Sequence, residues 1–269
     1  MSEPSRPTTL YLGDHRGITR SRYGVDIFFD TRDLSVGLPL ALSGDYEPEL
    51  SAWMIGTLRN GDLAVDVGAN IGFYTLHFAR RTGPGGHVFA FECNPDLVQL
   101  LRDSVEINNL DERCTIHSVA VTDHDGEVEF SKPLKHQGSG SLLPGGLENE
   151  SWSRITVPAT MLDTIFTGRE PPMRLLHIDA EAAEPKIIRG ARHFLERQRD
   201  MIVVLEVVGQ TYRNHGDEAS IVEALRYLEE TGRILCLIQE NKPVQISIQT
   251  ALEFPMLNAA AIPRHLAAG

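Results

Sequence analysis

LAVDVGANIGFYTLHFARR (residues 63–81) carries the clearest structural signal in this chain of 269 residues. Residues 63–67 form a short apolar run typical of a buried strand, and residues 68–72 form a turn with a glycine at each end. Residues 73–81 then have the composition of a helix. A strand, a glycine turn and a helix in immediate succession are typical of α/β proteins.

The alternation of strand and helix continues along the chain. Further strands are predicted at 87–92, 115–121, 174–179 and 201–207, with closing strands at 234–238, 244–248 and 257–262. Helices are predicted from Asn94-Pro95, from Pro185 and at 218–231. The fold class is therefore α/β, with a doubly wound, mostly parallel sheet and an antiparallel end. We assign residues 51–269 to the main domain, residues 1–50 to an N-terminal extension, and about 123–155 to a loop insertion.

Composition and charge limit the classes of molecule that this protein is expected to bind. The net charge is −12, from 25 Lys and Arg against 37 Asp and Glu, which disfavours nucleic acid and anionic membranes. No segment approaches the roughly 20 apolar residues of a spanning helix, and residues 1–7 lack the apolar core of a signal peptide. The three cysteines show no zinc spacing. The sequence predicts a cytoplasmic protein and leaves homo-oligomerisation open.

Ligands of a doubly wound sheet bind beyond the carboxyl ends of its strands. Gly68 to Gly72 follow the first strand of the main domain, and Glu92 ends the second, where an acidic side chain grips ribose hydroxyls. A dinucleotide site requires G-x-G-x-x-G, but Asn70 stands at the middle glycine. We therefore expect a nucleoside cofactor without pyrophosphate, and S-adenosylmethionine fits this description.

Several further blocks flank the glycine turn. They are DYEP (45–48), NGD (60–62), DVGANIGFYT (66–75), FAFE (89–92), NNL (108–110), AVTD (120–123) with Gly126, LD (162–163), HIDAEAAE (177–184) and RGA (189–191). In this order they resemble the motifs of the FkbM family of S-adenosylmethionine-dependent methyltransferases, over about residues 40–262. The resemblance implies a Rossmann-like class I methyltransferase fold of seven strands with an antiparallel end strand. His177, Ala182 and Cys93 stand where the family usually has lysine, glycine and proline.

Cofactor-binding residues are expected along the carboxyl edge of the sheet. They are Asp66, Gly68, Ala69, Asn70, Gly72, Tyr74, Thr75, Glu92, Cys93, Val119, Ala120 and Asp179. Val119 and Ala120 are expected in the adenine slot, whereas Tyr46 and Tyr74 suit the core as well as a pocket. In the alternative interpretation, the glycine turn only shapes the passage from strand to helix, and Asp179 only supports that turn.

Methylation of an alcohol requires a base, because the hydroxyl must lose its proton. Asp179 and Glu181, at the end of the 174–179 strand, are the first candidates, followed by Glu206 on the next strand and His215 in the loop after it. The same carboxylates suit Mg²⁺, an alternative that we do not favour because clusters of carboxylates have several uses.

We expect methylation of a hydroxyl on a small-molecule acceptor such as a sugar, a polyketide or another secondary metabolite. The N-terminal extension and the insertion are expected to shape the acceptor pocket, with the glycine and serine run at 137–141 as a lid. Methylation of nitrogen or carbon, a NAD-dependent oxidoreductase and a non-catalytic cofactor-binding module remain alternatives.

Overall fold

A computed structural model describes residues 8–133, 140–141 and 152–267. Its strands are β1 (Thr9–Gly13), β2 (Arg16–Arg20), β3 (Asp26–Asp30), β4 (Leu63–Val67), β5 (His87–Glu92), β6 (Cys114–Ser118), β7 (Ala120–Val121), β8 (Gly126–Pro133), β9 (Trp152–Thr160), β10 (Leu175–Ile178), β11 (Ile202–Val207), β12 (Arg233–Gln239), β13 (Lys242–Gln245) and β14 (Leu257–Pro263). Its helices are α1 (Gly37–Ser43), α2 (Pro48–Thr57), α3 (Phe73–Thr82), α4 (Pro95–Ile107), α5 (Leu162–Ile165), α6 (Glu184–Arg189), α7 (Arg192–Arg197), α8 (Gly209–Asn214), α9 (Glu218–Glu230), α10 (Ile248–Glu253) and α11 (Arg264–Ala267).

The main sheet confirms the predicted α/β fold class. Within the described residues it has eight strands, in the order β13-β12-β14-β11-β10-β4-β5-β6. Strands β11, β10, β4, β5 and β6 are parallel, while β14 runs antiparallel between β11 and β12. The sheet thus has one strand more than expected, because β13 pairs with the outer edge of β12. The predicted antiparallel end is confirmed, because the edge strand β13 and the inner strand β14 both run antiparallel to the parallel strands.

Alternate residues of each central strand face opposite layers of helices, as the pleat of a strand requires. Leu176 and Ile178 of β10 pack into the core that α6 and α7 cover. Leu175 of the same strand packs into the core on the α3 and α4 side. Both faces of the sheet are therefore buried, which explains the near-continuous apolar runs in the sequence.

Helix α4 begins where the Asn94-Pro95 pair predicts. The side chain of Asn94 accepts a hydrogen bond from the Asp96 N–H at 3.2 Å, and Pro95 occupies the first helical position. This is the capping arrangement that the Asn-Pro pair indicates. The stripe of Leu97, Leu101 and Val105 is buried, so the predicted face of the helix does pack inward.

Two predicted elements are divided in the structure. The 115–121 strand is split at Val119, whose N–H donates to the carbonyl of Glu92, so that β6 stays in the main sheet and β7 pairs with β9. The helix from Pro185 breaks into α6 and α7 at Gly190. A Cβ at Gly190 would lie 2.1 Å from the carbonyl oxygen of Thr122, so the close approach of this loop explains the break.

The N-terminal extension has a sheet of its own. Strands β1, β2 and β3 form an antiparallel sheet that lies against α4. The Phe28 N–H donates to Ser104 Oγ at 2.9 Å, and the Asp26 N–H donates to Asn108 Oδ1 at 3.0 Å. The side chains of Ile27 and Phe29 join the core beside α3 and α4. The predicted extension is therefore packed onto the main domain.

The 123–155 insertion contains a predicted hairpin and a predicted lid. The hairpin strand at 126–130 is the first part of β8, which pairs antiparallel with β9. Of the lid run at 137–141, residues 137–139 lie outside the described residues. Gly140 and Ser141 lie beside β8, where Ser141 pairs with Ser131 in an antiparallel bridge. None of the helices described is both long and apolar enough to span a membrane.

We expect Gly190→Ala to destabilise the fold by about 1–3 kcal/mol, the usual cost of overpacking, because the added Cβ would meet backbone at Thr122. Gly56→Ala in α2 is the matched control, since no atom lies within 4 Å of its Cβ position. The control should gain about 0.5–1 kcal/mol, because glycine weakens a helix. Urea denaturation measures both changes, and equal stabilities for the two variants would contradict the close approach.

Candidate active site

The chain reverses its direction of sheet growth between β4 and β10. From β4 the sheet extends through β5 to β6, whereas β10 and β11 lie on the other side of β4. The carboxyl ends of β4 and β10 therefore flank the switch point where such sheets bind ligands. Gly68 follows β4 and Asp179 follows β10, and a Cβ at Gly68 would lie 1.8 Å from the Asp179 carbonyl oxygen. Only glycine, with φ of +80°, allows this approach.

Glu92 holds the glycine turn in place. Its Oε2 accepts the Asn70 N–H at 2.8 Å, and its Oε1 accepts the Asn94 N–H at 2.7 Å. The N–H groups of Gly68 and Ala69 both donate to the carbonyl of Phe91 at 2.9 Å. Burial raises the pKa of Glu92 to about 7, although its backbone hydrogen bonds oppose the shift. The predicted ribose acid thus lies directly beside the turn.

Asp66 lies behind the turn, inside the core. Its Oδ1 is 2.8 Å from His177 Nδ1, and its Oδ2 accepts the Thr75 hydroxyl at 2.5 Å. Burial lowers the pKa of His177, but the hydrogen bond and charge of Asp66 outweigh burial and raise it. Asp66 and Thr75 were predicted to bind the cofactor; the structure places both behind the turn, in contact with each other.

Two cavities open at this edge of the sheet. The first, of about 60 Å³, is lined by Glu92, Cys93, Val119 and Ala120, together with Leu97 and Phe130. The second, of about 250 Å³, is lined by Ala69, Tyr74 and Glu206, together with Tyr46, Glu47 and Met256. Gly68, Asn70, Asp179 and Glu181 line both cavities. The structure thus brings together most of the predicted site residues around one continuous pair of cavities.

Besides Glu92, three carboxyl groups at the cavities have raised pKa values. Burial raises the pKa of Asp179 to about 7 against the opposing charge of His177. Burial and the charge of Asp179 raise the pKa of Glu181 to about 8. Burial and the charges of Asp179 and Glu181 raise the pKa of Glu206 to about 10. Groups with such shifted values are typical of functional sites.

The turn after Asp179 is strained. Glu181 and Ala182 have φ of +50° and +73°, which side chains other than glycine rarely adopt. The carboxylate of Glu184 restrains the turn, because its Oε1 accepts the Ala180 N–H at 2.9 Å and its Oε2 accepts the Tyr212 hydroxyl at 2.6 Å. Strained turns held by buried hydrogen bonds are found at sites where geometry matters.

Two residues with predicted roles lie away from the second cavity. His215 is exposed at the end of α8 and lines neither cavity. Gly140, from the predicted acceptor lid, lines the first cavity and not the larger one. Gly72 also lies outside both linings, at the start of α3, where its Cβ position is 2.3 Å from the Leu101 side chain.

Sequence reasoning assigned no role to Glu47. The structure places it in the second cavity, where its Oε2 accepts the Tyr74 hydroxyl and its Oε1 accepts the Asn258 amide, each at 2.6 Å. The only signal in the sequence is its place in the DYEP block, which resembles a family motif. Tyr46, which the sequence allowed in the core as well as in a pocket, lines the same cavity.

Residues 66–235 match the family model described as "Methyltransferase FkbM domain". The chain belongs to the FkbM methyltransferase family. This confirms the resemblance found in the sequence motifs and favours methyl transfer over the oxidoreductase alternative. S-adenosylmethionine is the cofactor that this family membership indicates.

Individual relatives of this FkbM methyltransferase match shorter segments. The mouse tRNA wybutosine-synthesizing protein 2 homolog is 33% identical over 109 residues, which is 40% of this chain and 23% of the mouse protein. The protein-L-isoaspartate O-methyltransferase of Methanothrix thermoacetophila is 28% identical over 138 residues, which is 44% of this chain and 60% of that enzyme. The chain thus spans less than a quarter of the length of the first relative.

Among solved structures, the chain is similar to a methyltransferase FkbM from Methylobacillus flagellatus KT. The two are 14% identical, with a TM-score of 0.47, over 74% of this chain and 42% of that one. The family assignment does not depend on this likeness.

The site of this FkbM methyltransferase suits S-adenosylmethionine. Val119, Ala120 and Leu97 offer apolar walls for an adenine ring in the first cavity, and the Glu92 carboxylate there can accept ribose hydroxyls. The acidic side chains of the second cavity suit a cationic sulfonium. Among the described residues, no group of three or more His, Cys, Asp or Glu side chains is placed to hold a metal ion.

We expect Ala182→Gly, which restores the usual residue of the family, to leave stability unchanged or to raise it by up to about 1 kcal/mol. A left-handed backbone costs an alanine about 1–2 kcal/mol, and the greater chain entropy of glycine offsets about 0.4–1 kcal/mol of the relief. Ala52→Gly in α2 is the control, and it should lose about 0.5–1 kcal/mol. Thermal unfolding of both variants measures the difference, and equal losses would show that the turn is not strained.

Proposed function

We propose that this enzyme transfers the methyl group of S-adenosylmethionine to a hydroxyl oxygen of a small-molecule acceptor, such as a sugar, a polyketide or another secondary metabolite. The observation that carries the proposal is the position of Asp179. It lines the first cavity, which suits the adenosine part of the cofactor, and also the larger second cavity. A base at this junction can reach an acceptor held in the second cavity.

S-adenosylmethionine, when bound, supplies an electrophilic methyl group on a cationic sulfur. The carboxylate of Asp179 accepts the proton of the acceptor hydroxyl, so that the oxygen can attack. Glu181 and Glu206, whose raised pKa values keep them protonated at neutral pH, can donate hydrogen bonds that orient neighbouring oxygens of the acceptor. Tyr46 and Phe73 close the cavity with apolar surface and exclude water.

Two observations favour a small acceptor over the tRNA named in the curated relatives. The chain carries a net charge of −12, and among the described residues the second cavity is lined by four acidic side chains and by no lysine, arginine or histidine. The net charge would repel a phosphate backbone, and the lining of the cavity offers it no cation. The volume of about 250 Å³ suits a compact molecule.

The substrate class can be tested directly. The enzyme is incubated with S-adenosylmethionine carrying a labelled methyl group and, in separate reactions, a panel of hydroxylated small molecules and total tRNA. We expect label in a small-molecule fraction, with an ether bond identified by mass spectrometry. Label in tRNA alone, or on nitrogen or carbon of the small molecule, would overturn the proposal.

We expect Asp179→Asn to lower kcat/KM by about 10²–10⁴, the usual contribution of a general base. In the native enzyme kcat/KM should rise as the pH passes through about 7, because Asp179 must lose its proton to act and burial has raised its pKa to that value. This rising limb should disappear in Asp179→Asn. Asp200→Asn, at an exposed side chain, is the control.

Glu181→Gln is measured beside these variants, and the affinity of each for adenosylhomocysteine is measured by calorimetry. Asp179→Asn removes the base but leaves the cofactor site in place. Its affinity for adenosylhomocysteine should therefore change little. Unchanged turnover in both Asp179→Asn and Glu181→Gln would contradict a catalytic role for this turn.

A further inference from the structure

The carboxyl group of Glu206 is buried with an incomplete set of hydrogen bonds. Its side chain is 8% exposed, and its Oε2 has no hydrogen-bond partner among the described residues. An unsatisfied buried polar group costs about 1–3 kcal/mol. Glu206 ends β11 and lines the second cavity, so a bound molecule is what can supply the missing partner.

The wall of the second cavity shows which chemistry would fit. Among the described residues, Glu206 shares it with Glu47, Asp179 and Glu181, and with no basic side chain. The oxygens of Glu47 are already taken by Tyr74 and Asn258. Of these four carboxyl groups, Glu206 is the one with a fully buried oxygen to which no described residue donates.

Aromatic rings form a second part of the same wall. Tyr46, Phe73 and Tyr74 line the cavity, and their rings meet edge to face with centroids 5.2–6.0 Å apart. The faces of aromatic rings attract cations. Carboxylates and aromatic rings around one small cavity are the combination that recognises an ammonium group.

Resting on the proposed function, we propose that the acceptor is an amino alcohol: a hydroxyl compound whose ammonium group binds Glu206 at the aromatic wall while its hydroxyl faces Asp179. The ammonium group donates a hydrogen bond to Oε2 of Glu206 and lies against Tyr46. A neutral hydroxyl in the same place donates a hydrogen bond that carries no charge, so neutral compounds of the same shape bind more weakly.

Binding of the cation changes the ionisation of the site. Burial keeps Glu206 protonated in the empty site, and the charges that face it add to this effect: Asp179 and Glu181 after β10, Glu184 of α6 and Glu47 before α2. The hydroxyl of Tyr212 in α8 is a further ionisable neighbour. An ammonium group favours the carboxylate, so one proton leaves Glu206 for the buffer. The loss of this proton balances the charge that the ammonium group brings, so the net charge of the site does not change.

The test uses the complex of the enzyme with adenosylhomocysteine, in which the ammonium group of the cofactor is already accommodated. D-Glucosamine and its neutral counterpart D-glucose are titrated by calorimetry at a pH where the amine is fully protonated. We expect glucosamine to bind at least about tenfold more tightly than glucose, a difference of about 1.4 kcal/mol. Comparison of two buffers of different ionisation enthalpy should show release of a proton with glucosamine only.

Glu206→Gln should abolish both the preference for glucosamine and the proton release, while Glu230→Gln, at an exposed residue of α9, should keep both. Retained affinity of Glu206→Gln for adenosylhomocysteine shows that the variant is folded. Equal binding of the two sugars, absence of binding by both, or weaker adenosylhomocysteine binding in Glu206→Gln with the preference intact would overturn the proposal. Methylation of neutral hydroxyl compounds with no preference for amines would overturn it as well and leave the proposed function standing.

Discussion

The buried carboxylate of Asp66 is the constraint on which the site depends. It joins β4 to β10 through His177 and β4 to α3 through Thr75. Burial of a charge costs several kcal/mol unless it is paired and hydrogen-bonded, and these two partners meet that requirement. Because Asp66 and His177 are also register partners in the sheet, their contact fixes how far each strand extends. The contact of Gly68 with the Asp179 backbone follows from this register.

Around the buried Asp66 carboxylate, the protein contains features that reduce its stability. Beyond the effect of burial, Asp179 raises the pKa of Glu181, and both raise the pKa of Glu206. The backbone at Glu181 and Ala182 is left-handed. A core built only for stability would contain apolar side chains here. The buried hydrogen bonds of Glu184 hold the turn against this strain. Local conflict within a well-packed frame is what a binding and catalytic site is expected to show.

The sequence predicted the positions of the strands better than the contacts of single side chains. The bounds of β4 and β5 were predicted to the residue, because each is an apolar run between turn residues. Strand periodicity shows which face a residue occupies, but not what it meets there, so the pairing of Asp66 with His177 was missed. Glu47 lies far along the chain from β4 and β11, and only tertiary packing brings it to the cavity. His215 follows β11 closely in sequence, yet α8 carries it away from the site.

The histidine at position 177 links the support of the site to its chemistry. A lysine, usual at this place, would stay charged across the neutral range, whereas the ordinary pKa of histidine is about 6.5. Asp66 raises the pKa of His177 above that value, so the stabilising pair is complete below about 6.5 and is lost as the pH rises through the raised pKa. The cationic His177 also lowers the pKa of Asp179 against the effect of burial. When His177 loses its proton, Asp179 loses the charge that favours its ionised form. The base needs a pH high enough to ionise it, and its support needs a pH low enough to keep His177 charged, so the two requirements limit the active range from opposite sides.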